Sequence, residues 1–310
     1  MKLASFTTSD GRRGAGVVTD EGIRALKIEV TSTSNAGLSP MRRLLAEYGN
    51  DLAVLQEVAN EGELFAHDAV TLDAPVPDPG KIIAAPVNYR DHQAEMNEDA
   101  HIDALGFFLK SPTSVLAPGG TVRLPYSDRR FDQEGELALV IGKETSNVSV
   151  QDALNSIAGY TLLLDMTMRG GEDRSTRKSF DTFTPIGPYL VTPDETGPLD
   201  KLSLRCWVGG ELRQDADIKD LIWGVPELIS YASSVTRLLP GDVITTGTPA
   251  GIGRVADGQS ITLEITGLGR LDVNVTATGA VACPTKGANR GPKPPETVTP
   301  VRQAAGTGAK

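Results

Sequence analysis

Glu134 and Glu136 stand one residue apart in Phe131-Asp132-Gln133-Glu134-Gly135-Glu136, and an apolar run, Leu137-Ala138-Leu139-Val140-Ile141, follows them. From Glu136 onward this reads as a buried strand, on which side chains repeat every two residues. Both acids then share one face with Ala138 and Val140. Like charges forced together against apolar neighbours raise each other's proton affinity unless a cation neutralises them. An oxygen-only pair of this kind suits Mg²⁺, Mn²⁺ or Ca²⁺ rather than a soft metal. Two solvated acids at a strand edge have the same spacing, so the rest of the chain must decide. A third carboxylate supplies the context. Gly159-Tyr160-Thr161-Leu162-Leu163-Leu164 is a second apolar strand, and it ends in Asp165, at the rim of a sheet.

A base is spelled out upstream. In Tyr89-Arg90-Asp91-His92-Gln93-Ala94-Glu95 the histidine and the second glutamate are three residues apart, neighbours on one face of a helix. A carboxylate beside an imidazole fixes its tautomer and raises its basicity, as a general base requires near neutral pH. An ordinary surface pair would look the same, but the chain has only 3 histidines. His67 reads as structural or exposed. His101, after Asn97-Glu98-Asp99-Ala100, reads as a lid cap rather than a catalytic group. Lys178, in Arg177-Lys178-Ser179-Phe180-Asp181, and the turn Thr245-Thr246-Gly247-Thr248-Pro249 complete the groups that could do chemistry.

In this order, from roughly Lys81 to Leu271, these segments resemble the fumarylacetoacetate hydrolase family. No one motif is specific; their succession is. The resemblance implies Glu134, Glu136 and Asp165 as ligands of Mg²⁺ or Mn²⁺, with Ca²⁺ as a further candidate. It implies Lys178 near the substrate and His92 with Glu95 as a water-activating dyad on a lid. Tyr89, Arg90, Arg169, Glu172 and Thr248 become the substrate-contacting set. The activity implied is cleavage of the C–C bond of a 2,4-dioxo acid, an acylpyruvate such as fumarylpyruvate or maleylpyruvate, in aromatic catabolism. Pyruvate and a carboxylic acid would be the products. Oxaloacetate-type decarboxylation and isomerisation of hydroxymuconate-type dienes are the family's other uses of the same site. One stretch departs from the family pattern. Gly170-Gly171 follows Arg169 where an acid is common, and Glu172-Asp173-Arg174-Ser175-Thr176-Arg177 is charged where relatives carry an amide and aromatics. That leaves the acyl group open.

The elements that must position these groups are mostly short strands. The 310 residues include 33 glycines and 39% apolar side chains, and helix-period runs are few, so the chain reads as mainly β with α (α+β). By resemblance the catalytic fold is a mixed β-sandwich roll, usually a homodimer. Residues 1–72 read as a small N-terminal α+β domain, with strands near 2–6, 14–19 and 22–27 and helices over 40–48 and 51–61. Pro75, Pro77 and Pro79 stiffen a linker over 73–80. The catalytic part spans 81–283, with helices expected at 150–156 and 225–234. Residues 284–310, rich in Gly, Pro, Lys and Thr, read as a disordered tail. A net charge of −10 argues against nucleic acid and anionic membrane as partners and leaves a small anionic substrate. Cys206 and Cys283 have no ligand spacing and read as reduced. Neither a leader segment nor a membrane-length apolar run is visible, and the expected location is the cytoplasm.

Overall fold

The computed structural model describes residues 1–27, 37–49, 51–59 and 61–301. Its centre is the antiparallel pair Gly135–Ile141 and Ile157–Leu164, in the register Gly135↔Leu164 and Glu136↔Leu163. Every residue of both strands is buried. Near-continuous apolar runs of this kind belong to strands covered on both faces. Leu137, Leu139 and Ile141 enter one core, whereas Ala138 and Val140 enter a second.

From this pair a 12-stranded sheet extends both ways. On one side Ile157–Leu164 pairs with Thr184–Val191, and Thr184–Val191 pairs with Lys2–Thr8 through Lys2↔Val191 and Leu3↔Leu190. The N-terminal strands therefore continue the same sheet, and Leu3, Met41 and Leu44 share a core with Ala138 and Leu163. On the other side come Val243–Thr245, Ile82–Ala84 and Phe108–Lys110. A five-stranded sheet packs against this one. Along its Ser203–Val208 strand burial alternates, and Leu204, Cys206 and Val208 face the core that holds Leu137 and Leu139, the pattern of a sandwich. A three-stranded sheet of Thr167–Met168, Phe131–Gln133 and Gly253–Arg254 borders the carboxylates. The protein is thus a mixed α and β structure with several sheets, as the sequence predicts.

Two helices carry most of the helical packing. Pro40–Tyr48 is capped by the Ser39 hydroxyl and buries Met41, Leu44 and Leu45. Val225–Val235 buries Val225, Leu228, Ile229 and Ala232. The helix expected over 150–156 is only a short 3₁₀ turn, Ala153–Ser156. Ser149 Oγ donates to Asp152 Oδ2 and accepts from the Asp152 amide, a local alternative to helical pairing. The helix expected over 51–61 is Val54–Ala59, and residue 60 lies outside the described residues.

The segment read as a disordered tail is placed from 284 to 301. The Gly171 amide donates to Gly287 O (2.9 Å), and Arg130 Nη1 donates to Pro295 O (2.9 Å). The Thr285 hydroxyl and the buried Pro294 add to these two carbonyl contacts. Residues 302–310 lie outside the described residues. No helix among the described residues is long and apolar enough to cross a membrane.

Candidate active site

Glu134, Glu136 and Asp165 offer carboxylate oxygens that lie within 4.8 Å of one another, and all three side chains are buried. The sheet makes this meeting unavoidable. Gly135 pairs with Leu164, so the residues flanking the pair project from adjoining strand ends, and the Asp165 amide donates to Glu134 O at 2.8 Å. A buried charge without compensation costs on the order of several kcal/mol, so the partners of each acid matter. Glu134 is held by Arg169 Nη2 (2.6 Å) and Lys178 Nζ (2.7 Å). Burial opposes its ionisation, but the Lys178 and Arg169 charges prevail and hold its carboxyl far below the usual range. Asp165 takes Lys110 Nζ on one oxygen and Lys178 Nζ on the other, each at 2.5 Å.

Glu136 differs. Its Oε2 accepts from Thr245 Oγ1 (2.5 Å) and from the Gly247 amide (2.8 Å), and it has no ion-pair partner among the described residues. Burial, then the neighbouring Asp165 charge, push its carboxyl up to about 8. One acid short of a counter-charge in an all-oxygen cluster fits a hard divalent cation. Gly247 reaches Glu136 because its φ is +87°, and a Cβ there would meet Asn88 Cβ at 2.9 Å.

The base lies across the same pocket. His92 and Glu95 sit on the helix Arg90–Glu95, with His92 Nδ1 3.0 Å from Glu95 Oε2. Glu95 Oε1 accepts from the Gly251 amide at 2.9 Å. Both side chains are buried, and His92 lines the pocket with Phe108, Glu134, Glu136, Lys178 and Thr248. Thr248 is fixed in turn, donating to Gly135 O (2.9 Å) and accepting from Gln214 Nε2 (2.7 Å).

Of the residues singled out in the sequence, the structure gathers His92, Glu95, Lys178, Arg169, Thr248 and the three carboxylates. It does not bring Tyr89, Arg90 or Glu172 to the pocket wall. Tyr89 is wholly buried with its hydroxyl unpartnered, and burial pushes that hydroxyl well above its ordinary value. Arg90 points outward to Gln93 Oε1. Glu172 turns to Arg129, whose Nη2 and Nη1 lie 2.7 and 2.9 Å from its oxygens, and to Thr285. Held chiefly by the Arg129 hydrogen bonds, its carboxyl is down at about 2. The same guanidinium donates to Arg169 O, so Glu172 braces the pocket from behind rather than lining it. His67 is exposed beside Thr19 O, and His101 adjoins Asp103.

Sequence reasoning passed over Lys110, Asp132, Arg177 and Pro292. Lys110 is wholly buried and also donates to Lys178 O and Phe183 O. Asp132 joins Arg130 Nε and Arg169 Nε, each at 2.7 Å. A lysine closing Phe108-Leu109-Lys110 gives no local sign of burial. Pro292, from the C-terminal segment, reaches the pocket wall, and nothing in its composition foretold that.

A β-sandwich that aims three buried carboxylates and a histidine–glutamate pair into one pocket defines a metal-dependent enzyme. The chain belongs to the fumarylacetoacetate hydrolase family: residues 81–276 match the fumarylacetoacetate (FAA) hydrolase C-terminal profile. It is 45% identical over 217 residues to a maleylpyruvate hydrolase of Aquipseudomonas alcaligenes, covering 66% of this chain and 76% of that protein. A crystal structure of maleylpyruvate hydrolase from Sphingobium sp. SYK-6, in complex with manganese(II) and pyruvate, superposes with a TM-score of 0.75 at 35% identity. That match covers 89% of this chain and 99% of the other. The crystal structure of 5-carboxymethyl-2-hydroxymuconate delta-isomerase from Mycobacterium smegmatis matches with a TM-score of 0.71 at 27% identity, over 89% of this chain and 100% of that one.

Proposed function

We propose that the protein hydrolyses the C3–C4 bond of an acylpyruvate, a 2,4-dioxo acid such as maleylpyruvate or fumarylpyruvate, to pyruvate and a carboxylic acid. The observation that carries this reading is the His92–Glu95 pair, fixed by Gly251 and facing the carboxylate cluster across one pocket. Glu134, Glu136 and Asp165 would hold Mg²⁺ or Mn²⁺, which when bound supplies Lewis-acid polarisation of a carbonyl and neutralises developing negative charge.

The chain's own groups account for the proton traffic. Glu95 accepts from Nδ1 of His92, which leaves Nε2 as the lone-pair nitrogen toward the pocket. His92 Nε2 takes a proton from water as its oxygen attacks C4. The C3–C4 pair of electrons moves to the pyruvate half as an enolate, and the imidazolium returns the proton to C3. Water and dioxo acid are thereby converted to two carboxylic acids with atoms and charge balanced. Lys178 and Arg169 supply fixed positive charge beside the growing enolate, and Thr248, its hydroxyl committed to Gly135 O, shapes the pocket wall.

The Mn²⁺-loaded protein should convert maleylpyruvate or fumarylpyruvate to pyruvate plus a dicarboxylic acid that carries one ¹⁸O from labelled water. Isomerisation of a hydroxymuconate-type diene, or decarboxylation of oxaloacetate, without cleavage of any acylpyruvate would replace this reading. The family likeness to a delta-isomerase makes that comparison worth running in the same assay.

A further inference from the structure

Asp173 caps the short helix Arg174–Arg177 by accepting from the Ser175 amide at 2.8 Å. The turn brings Arg177 to the pocket wall, beside Arg174 and Arg169. Arg177 is 8% exposed. Its Nε is buried without a hydrogen-bond partner, and no carboxylate pairs with its guanidinium among the described residues.

Every other buried cation of the pocket is neutralised. Arg169 has Asp132 and Glu134, Lys178 has Glu134 and Asp165, and Lys110 has Asp165. Burial and the Arg169 charge push the Arg177 guanidinium below its ordinary proton affinity. A desolvated guanidinium with no counter-ion is unfavourable in the free protein. It becomes favourable when a ligand brings an anion, and the planar fork matches a carboxylate in two parallel hydrogen bonds.

We propose that Arg177, assisted by Arg174, is a second anion subsite that receives a carboxylate at the acyl end of the substrate. This rests on the acylpyruvate reading and narrows it to dioxo acids carrying a carboxylate at both ends. The two ends are held differently. The pyruvyl end lies at the Glu134, Glu136 and Asp165 cluster, and the far end lies against the Arg174–Arg177 helix. The subsite comes from the charged stretch in which this chain departs from the common family pattern.

The test compares maleylpyruvate with acetylpyruvate, which lacks the distal carboxylate, on wild type, Arg177→Met and Arg177→Lys. In Arg177→Met the ratio of kcat/KM for maleylpyruvate over acetylpyruvate should fall at least about thirtyfold, as when a polar site loses its matched group. Arg177→Lys should restore part of the ratio, because it keeps the charge but not the fork. Melting of the ligand-free Arg177→Met protein should be unchanged or raised, since an uncompensated charge has been removed. A ratio within about threefold of wild type overturns the proposal, as does a lowered melting temperature with equal losses on both acids. Should neither acid be turned over, the acylpyruvate reading fails by itself. Calorimetric binding of the same two acids to the Mn²⁺-loaded proteins then gives the ratio that decides the subsite.

Discussion

The Gly251 amide donates to Glu95 Oε1 at 2.9 Å, joining two residues 156 positions apart in the chain. Glu95 therefore cannot swing with its own helix alone. Its Oε1 is moored to the loop after Thr248, while Oε2 holds the His92 ring. Gly251 has φ +100°, and a Cβ on it would meet Arg213 O at 1.8 Å.

From this mooring, Glu95→Gln or His92→Ala should lower kcat by at least about a hundredfold, the usual range for loss of a general base. Gly251→Ala should lower it too, by displacing the amide from Glu95. Oxalate, which mimics the pyruvate enolate, should bind the His92→Ala and Glu95→Gln proteins with near wild-type affinity by calorimetry. Turnover at the wild-type rate in either of these two would reduce the pair to a bystander.

Removing a carboxylate tests the cluster directly. Glu136→Ala or Asp165→Ala should abolish turnover and weaken Mn²⁺ binding by more than the tenfold to roughly hundredfold seen when only an outer partner of a ligand is lost. Isothermal titration checks this, and full-strength Mn²⁺ binding to either variant removes that residue from the ligand set.

Lys110 gives a prediction of opposite sign for the two forms of the protein. Lys110→Met leaves Asp165 with one ammonium instead of two, and breaking a buried pair costs on the order of 3–5 kcal/mol. The metal-free variant should melt well below wild type. Because the cluster is then more negative, Mn²⁺ should recover more of the melting temperature than it adds to wild type. Equal metal-induced shifts in both proteins would contradict this.

Glu172 makes the attachment of the C-terminal segment depend on pH. Its carboxyl is depressed from 4.5 to about 2 through the Arg129 hydrogen bonds. The sign follows from linkage: the contribution is fully present above about pH 4.5 and is lost as pH falls toward 2. Glu172→Gln should therefore melt below wild type at pH 7, and the gap should close as the pH falls through that window. A gap that is constant with pH would mean the carboxylate charge is irrelevant. At neutral pH the variant should also raise KM several-fold, since Thr285 and the segment carrying Pro292 lose their brace.

What the sequence made legible follows local periodicity. Glu136 opens a continuous apolar run, Asp165 follows another, and the His92–Glu95 spacing needs only one helical turn. Lys110 was illegible because a lysine closing Phe108-Leu109-Lys110 reads as a solvated strand end. Only the pairing Ile82↔Lys110 places it inside. Glu172 and Arg177 sit five residues apart in one charged stretch, which periodicity cannot sort. A capped turn sends Arg177 inward, while Arg129, 43 residues away, draws Glu172 outward. The attachment of the C-terminal segment was illegible for a third reason. Composition registers side-chain hydrophobicity, and part of what anchors this segment is its own carbonyls.

The pairing of Lys2–Thr8 with Thr184–Val191 has a consequence in time rather than in space. Chains are made at roughly 5–20 residues per second, so Leu3 waits about ten to forty seconds for Leu190 to emerge. Throughout that interval part of one edge of the first strand lacks its partner, and such edges invite pairing with other chains. A nascent chain must therefore be protected during synthesis or made at low density. Overproduction at high temperature, where many ribosomes carry that edge at once, should lose more protein to aggregates than expression slowed by cooling and weak induction.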